Sequence, residues 1–244
     1  MGTWISHFRV AELLLERLPG LDAQQFVIGN VAPDSGRPNH DWTSFDPPKS
    51  VTHFLQPGDD EGRIRDLTFY REFVGPLRGG DPAHFSFMLG YFTHLVTDNL
   101  WMHLIGHSIK QAFAAEFAED KAATWGRVKD DWYGLDHKYL RDCPDNAFAR
   151  WVMGAPNPPS PFAFLPSEAL AYRLDDLREF YSHPEAFVLD RKYPYFSEAT
   201  MNRAVQDCAR EIAALLEQLE AGTVPDDAQI SLHLMNLPPA YLLP

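Results

Sequence analysis

Apolar positions recur along this chain at helical rather than strand spacing. From Glu198 to Glu220, Met201, Val205, Cys208, Ile212, Leu215 and Leu219 return every three or four residues, which predicts one long amphipathic helix. Val10, Ala11, Leu14 and Leu18 predict another from Trp4 to Leu18, stopped by Pro19-Gly20, with His7 on its inward stripe. Shorter helices are expected at about 64–73, 109–119 and 122–140. A further one is expected after Ser167, with Leu170, Leu174, Leu177 and Tyr181 on one face. Residues 26–60 lose the period among repeated prolines and glycines, yet keep Phe26, Val27, Ile28, Trp42, Phe45 and Phe54. That combination predicts an ordered loop packed on the core. No strand alternation and no internal repeat is visible.

One segment is apolar nearly all round. Asp81-Pro82 supplies an N-cap and first-turn pair, and the helix is expected from Phe85 to Ile105, with Gly106 as its stop. A membrane span is the rival reading, but His94, Asp98, Asn99 and His103 inside it make insertion costly. The expected fold is therefore all-α, a multi-helix bundle around a buried central helix at about 85–105. A single helical domain over 1–244 is expected, with a metal-site core at 1–150, a proline-rich linker at 151–166 and C-terminal helices at 167–244 packed on that core.

Hydrophobic residues make up 45% of the 244, ample for one large core. Lysine and arginine number 21 against 34 acidic residues, leaving a net charge of −13. So acidic a surface repels phosphate backbones and anionic lipid, so neither nucleic-acid binding nor stable membrane anchoring is expected. Cys143 and Cys208 lack metal-type spacing and read as reduced thiols. With no secretory pattern at the start, a cytoplasmic location is expected.

Chemistry enters through His94-Leu-Val-Thr-Asp98. Residues four apart share a helix face, so imidazole and carboxylate project together, as a two-ligand metal platform requires. A buried His–Asp hydrogen bond between helices explains the pair equally well. His7 on its apolar stripe, Asp34 in the turn Gly29-Asn-Val-Ala-Pro-Asp34, and His53 in Val51-Thr-His-Phe54 are further inward candidates. Each alone has an ordinary structural explanation. Jointly they would demand five separate answers to desolvation, which a divalent cation supplies at once.

His7 on an N-terminal helix, Gly29 to Asp34, Thr52-His53-Phe54 and Gly90-Tyr-Phe-Thr-His94-Leu-Val-Thr-Asp98 form an ordered set over about residues 4–140. That set resembles the zinc-dependent phospholipase C family, whose all-helical fold is shared with fungal zinc nucleases. The resemblance implies zinc, one or two ions: Asp34, His53, His94 and Asp98 at one site, with Asp98 bridging to a second ion on His7. It also implies departures. The secreted enzymes use a mature N-terminal tryptophan as ligand, whereas Trp4 is internal here. They carry a His-x-x-x-Glu pair after the bridging aspartate, whereas here only His103, Asp131 and Asp136 are nearby substitutes, as second-site or outer-sphere groups.

The expected activity is metal-dependent hydrolysis of phosphoester bonds in a small or lipid-like substrate, since a bound divalent cation lowers the pKa of its water to about 7. Asp34 is a candidate ligand or general base, and Trp42, Phe54 and Trp101 are candidate walls of the substrate pocket. Two alternatives remain open: a helical binding or scaffold protein with a structural metal, or the same scaffold turned to non-phosphate chemistry. Full coordination by protein atoms with no adjoining pocket would favour the scaffold.

Overall fold

Local capping chemistry sets where the helices begin. In the computed structural model, which describes residues 2–41, 43–59, 62–241 and 243, Thr3 accepts the Ser6 N–H and opens α1 (Trp4–Leu15). Asp22 accepts from Gln25 and opens α2 (Ala23–Gly29), which leads into a 3-10 turn at Ala32–Asp34. A two-residue antiparallel ladder follows, β1 (Arg37–Pro38) with β2 (Phe45–Asp46), Arg37 opposite Asp46 and Pro38 opposite Phe45. Then come single-turn α3 (Lys49–Thr52) and α4 (Asp66–Phe69), the latter widening into a π turn at Tyr70–Val74.

Asp81 caps the central helix α5 (Pro82–Trp101), as its sequence predicts, by accepting the Ala83 N–H. Gly106 does not stop it. The axis continues through a π turn at Met102–Gly106 into α6 (His107–Ala112). The remaining helices are α7 (Ala114–Glu119), α8 (Lys121–Asp142), α9 (Ala147–Trp151), α10 (Ser167–Tyr181) and α11 (Glu198–Glu220). Ser167 is the first residue of α10 rather than its cap, and its Oγ instead accepts the Ser160 N–H. The fold is all-α apart from the short ladder.

Every residue of α5 from Ser86 to Trp101 is buried, with α1, α2 and α11 packed around it. The α2–α5 crossing is close. An added Cβ on Gly29 would overlap the Phe87 carbonyl, and one on Gly90 would overlap the Phe26 carbonyl. Only glycine permits the two backbones to approach so closely. That places the chain leaving α2, Asn30 through Asp34, directly against the middle of α5. The expected loop over 26–60 thus begins inside a helix, which seven residues with an unbroken Phe26-Val27-Ile28 run do not announce by period.

The proline-rich stretch is tied down by Phe162 and Leu165, both buried, with Phe162 against Tyr91 at a 4.9 Å centroid distance. Beyond α11 the irregular tail also packs, as its apolar content predicts. The Tyr241 N–H donates to the Leu104 carbonyl, and Ser231 is buried. No helix among the described residues is long and apolar enough to cross a membrane.

Candidate metal centre

Five side chains from four segments converge beside the middle of α5. His94 and Asp98 come from α5, His7 from α1, His53 from the residue after α3, and Asp34 from the 3-10 turn. The four other than Asp34 are 0–1% exposed, whereas the Asp34 side chain is 11% exposed. The two Asp98 oxygens face different partners. Oδ1 lies 3.3 Å from His7 Nε2, while Oδ2 lies 3.4 Å from His94 Nε2 and 3.5 Å from His53 Nε2. Asp34 Oδ1 is 3.5 Å from His53 Nε2. The His7 and His94 rings stack in parallel, 4.0 Å between centroids and 6° between planes.

These separations bear on the two readings of the pair. A good N–H···O hydrogen bond spans about 2.7–3.2 Å, whereas two ligands on one tetrahedral zinc at about 2.0–2.1 Å sit about 3.3–3.4 Å apart. Tautomer geometry bears on the same question. His94 Nδ1 is 2.8 Å from the Asn30 carbonyl, which can only accept, so Nδ1 carries a proton, and in the neutral ring Nε2 keeps its lone pair. His94 Nε2 and Asp98 Oδ2 are then two acceptors facing each other. Among the described residues no hydrogen-bond partner reaches His7 Nε2, His53 Nε2, His94 Nε2, Asp34 Oδ1 or Asp98 Oδ2. Buried ring nitrogens and carboxylate oxygens turned towards one another without hydrogen bonds are an arrangement that a cation satisfies well, with Lys49 already 3.3 Å from Asp34 Oδ1 at the edge of the cluster.

Two overlapping sets could hold an ion: His7, His94 and Asp98, and Asp34, His53 and His94, each with ligand atoms within 4.8 Å of one another. The donor chemistry, imidazole nitrogen with carboxylate oxygen, fits zinc.

Electrostatics prepares the same state. Burial pushes the Asp98 carboxyl up, but His94, His53 and His7 outweigh it and hold it well below the ordinary range. Burial likewise raises Asp34, yet Lys49, at 3.3 Å, with His94 and His53 brings it below its usual value. His7 falls to about 4, through burial and the neighbouring His94, against the pull of Asp98. Burial dominates at His53 and lowers it as well. At neutral pH the carboxylates are charged and His7 and His53 are neutral, the forms in which each ligates, whereas at His94 burial is outweighed by Asp98 and Asp34, which raise it, so a cation taking its Nε2 competes with a proton there.

The other sequence candidates lie elsewhere. His103, carried round by the π turn, has its Nε2 3.1 Å from the Pro238 carbonyl and faces the tail. Asp131 accepts from Arg191 at 2.6 Å and from the Tyr195 N–H at 2.7 Å. Asp136 accepts from the Thr3 hydroxyl at 2.8 Å and from Tyr181 at 2.7 Å, so it reaches the cluster only through the cap of α1. Trp101 is wholly buried between Trp132 and Phe196 and forms core rather than pocket wall. Phe54 has φ of 53° and turns its ring onto Phe69 and Phe73. Trp42 lies outside the described residues.

One contact was invisible in the sequence. The Gly2 N–H donates to Asp98 Oδ1 at 3.1 Å. A cavity of about 720 Å³ opens beside the cluster, and Asp34 is the cluster member that lines it, with Thr3, Trp4, Trp125 and Trp132 among its walls. The centre therefore has one exposed side, which a fully enclosed structural metal would lack.

The sequence model of the zinc dependent phospholipase C family matches residues 6–141, more than half of the 244. The chain belongs to that family. The matched span contains all five converging side chains, and family and cluster together define a metal hydrolase. No curated protein and no solved structure matches the chain.

Proposed function

We propose that this protein is a zinc-dependent phosphoesterase acting on a small or lipid-like substrate, with His7, Asp34, His53, His94 and Asp98 as the metal ligands. The observation that carries the reading is the cluster of three imidazoles and two carboxylates, turned towards one another without hydrogen bonds between them, that opens at Asp34 onto the cavity. Zinc bound there would polarise a phosphoryl oxygen and acidify a water near neutral pH.

The chain's own residues do the positioning. Asn30 fixes the His94 tautomer and ring plane through Nδ1. Asp98 divides its oxygens between His7 on one side and His53 with His94 on the other, the disposition a bridging carboxylate needs if two ions are held. Asp34, kept ionised by Lys49 and the imidazoles, is a weak base and serves better as a ligand than as a proton acceptor. Lys49 sets a positive charge at the cavity mouth, where an anionic phosphoester would approach. The tryptophans of the cavity wall offer apolar surface to the rest of the substrate.

Metal analysis together with a panel of phosphodiesters, phosphomonoesters and dispersed phospholipids tests this. The expected result is at least one equivalent of zinc and metal-dependent turnover that vanishes in Asp98→Ala. Turnover restored by metal in Asp98→Ala, or less than one equivalent of transition metal under conditions that preserve binding, overturns it.

A further inference from the structure

In a chain of net charge −13, the cavity beside the metal cluster is cationic. Lys49 and Arg173 on its wall are engaged, with Asp34 at 3.3 Å and Asp176 at 2.6 Å respectively. Lys110, Lys121 and Lys129 also line it, and among the described residues none of these three enters an ion pair. Their placement is built into the helices. Lys121, Trp125 and Lys129 stand four residues apart on α8, so a single face presents ammonium, indole, ammonium in register. Lys110 comes from α6.

Like charges gathered without counter-charges cost repulsion, and an otherwise acidic molecule has carboxylates to spare for pairing them. A second observation points the same way. Trp4 and Trp132 line the cavity, Trp132 is only 6% exposed, and neither indole Nε1 has a partner among the described residues. Two unsatisfied indole N–H groups behind the wall add to its positive electrostatic character.

We propose that this cleft selects phosphoesters whose headgroup carries a further anionic group, a second phosphate or a carboxylate, held by Lys110, Lys121 and Lys129. The scissile phosphate sits at the Asp34 side and the apolar part of the substrate rests on Trp125. The inference rests on the phosphoesterase reading above and narrows its substrate class. The acidic remainder of the surface confines the preference to small headgroups, because an extended polyanion would meet repulsion beyond the cleft.

The test compares two glycerophosphodiesters, one with a neutral glycerol headgroup and one whose headgroup bears an added phosphate. Each is presented in water-soluble form and as a diacyl lipid in neutral detergent micelles. Zinc-loaded full chain is expected to favour the added phosphate by about tenfold or more in kcat/KM at low salt. The preference should collapse at about 0.5 M salt, and also in the Lys110→Gln/Lys121→Gln/Lys129→Gln variant, whose zinc content is unchanged. Preference in both presentations, or in micelles alone, supports the proposal and tells free headgroup from lipid recognition. Equal kcat/KM for the two compounds, or a preference unaltered in the triple variant, overturns it. Absence of turnover for both compounds overturns the phosphoesterase reading instead. Equilibrium titration of the same compounds then decides the cleft, with lysine-dependent preference supporting it and equal binding refuting it.

Discussion

Adjacent residues on the central helix, Asp98 and Asn99, lead into two buried polar regions with opposite bookkeeping. On Asn99's side every group is answered. Its amide donates to the Ile64 carbonyl at 2.9 Å and to Asp66 at 3.0 Å, and its oxygen accepts the Ile64 N–H. Asp66 in turn accepts from the backbone and hydroxyl of Ser231 and from Leu67. On Asp98's side three imidazole nitrogens and two carboxylate oxygens face one another, and among the described residues none of the five makes a hydrogen bond. Both regions bury a carboxylate completely, so burial of charge does not by itself mark a functional site. The unanswered acceptors do. The satisfied region is a clasp between the α5 core and the C-terminal tail, and the unsatisfied one is a socket.

Substitution should separate the two regions. Asp98→Ala should reduce metal-dependent turnover by more than about a thousandfold while leaving the chelated protein about as stable as chelated wild type, because it removes one of several mutually unsatisfied acceptors. Assay of metal content, turnover and urea midpoint on the same preparations checks this, and a large loss of stability in the chelated state would erase the distinction. Asp66→Ala should do the converse. It leaves the donors of Ser231, Asn99 and Leu67 unpaired in the core, which costs about 2–4 kcal/mol with or without metal, and zinc stoichiometry should be kept.

A third carboxylate sharpens the contrast. Asp136 has hydroxyl partners and only the pull of Arg9 against it, and burial raises it from 3.8 to about 7. The folded chain thus holds this proton more tightly than the unfolded one. Between pH 3.8 and about 7 the unfolded state loses the proton first, so Asp136 costs stability as pH rises through that window. His7, lowered to about 4, works in the opposite sense, costing stability as pH falls from 6.5 towards 4. The difference between wild type and Asp136→Asn cancels His7. Wild type should lose about 2–3 kcal/mol relative to the variant between pH 4 and 7, measured by urea unfolding. A difference that is flat with pH would place Asp136 among ordinary solvated carboxylates.

Much of this was legible in the chain because period and burial go together. The central helix is apolar on all sides and α11 has a clean stripe, so α11 appears at its observed bounds, whereas α5, expected at about 85–105, runs from Pro82 to Trp101 and is continued past Gly106 by a π turn. His94, Asp98, His7, Asp34 and His53 stood out because each interrupts an apolar context. Partner identity was harder. Helical spacing alone could not distinguish a hydrogen-bonded His94–Asp98 pair from a ligand pair, since that distinction lies in a few tenths of an ångström and in the Asn30 carbonyl. Trp101 was misjudged as a pocket wall because aromatic character does not reveal which side of a wholly buried helix meets a cavity. His103 was displaced because the π turn resets the angular phase after Trp101. The Lys121–Trp125–Lys129 face was readable at four-residue spacing, but exposed lysines on an amphipathic helix look alike until a cavity lies beneath them.

The paired glycines of the α2–α5 crossing have a consequence for how the socket keeps its dimensions. Helices that meet through long side chains can slide or roll against a yielding layer, whereas Gly29 and Gly90 put backbone on backbone with nothing compliant between. The crossing acts as a mechanical stop: displacing α2 by one residue along α5 would drive a side chain into a carbonyl. Asn30 to Asp34 hang from that stop over a very short lever arm. The geometry of the His–Asp cluster is therefore indexed to a steric end-point rather than to the sum of many soft contacts, and remote changes in the bundle should be damped before they reach it.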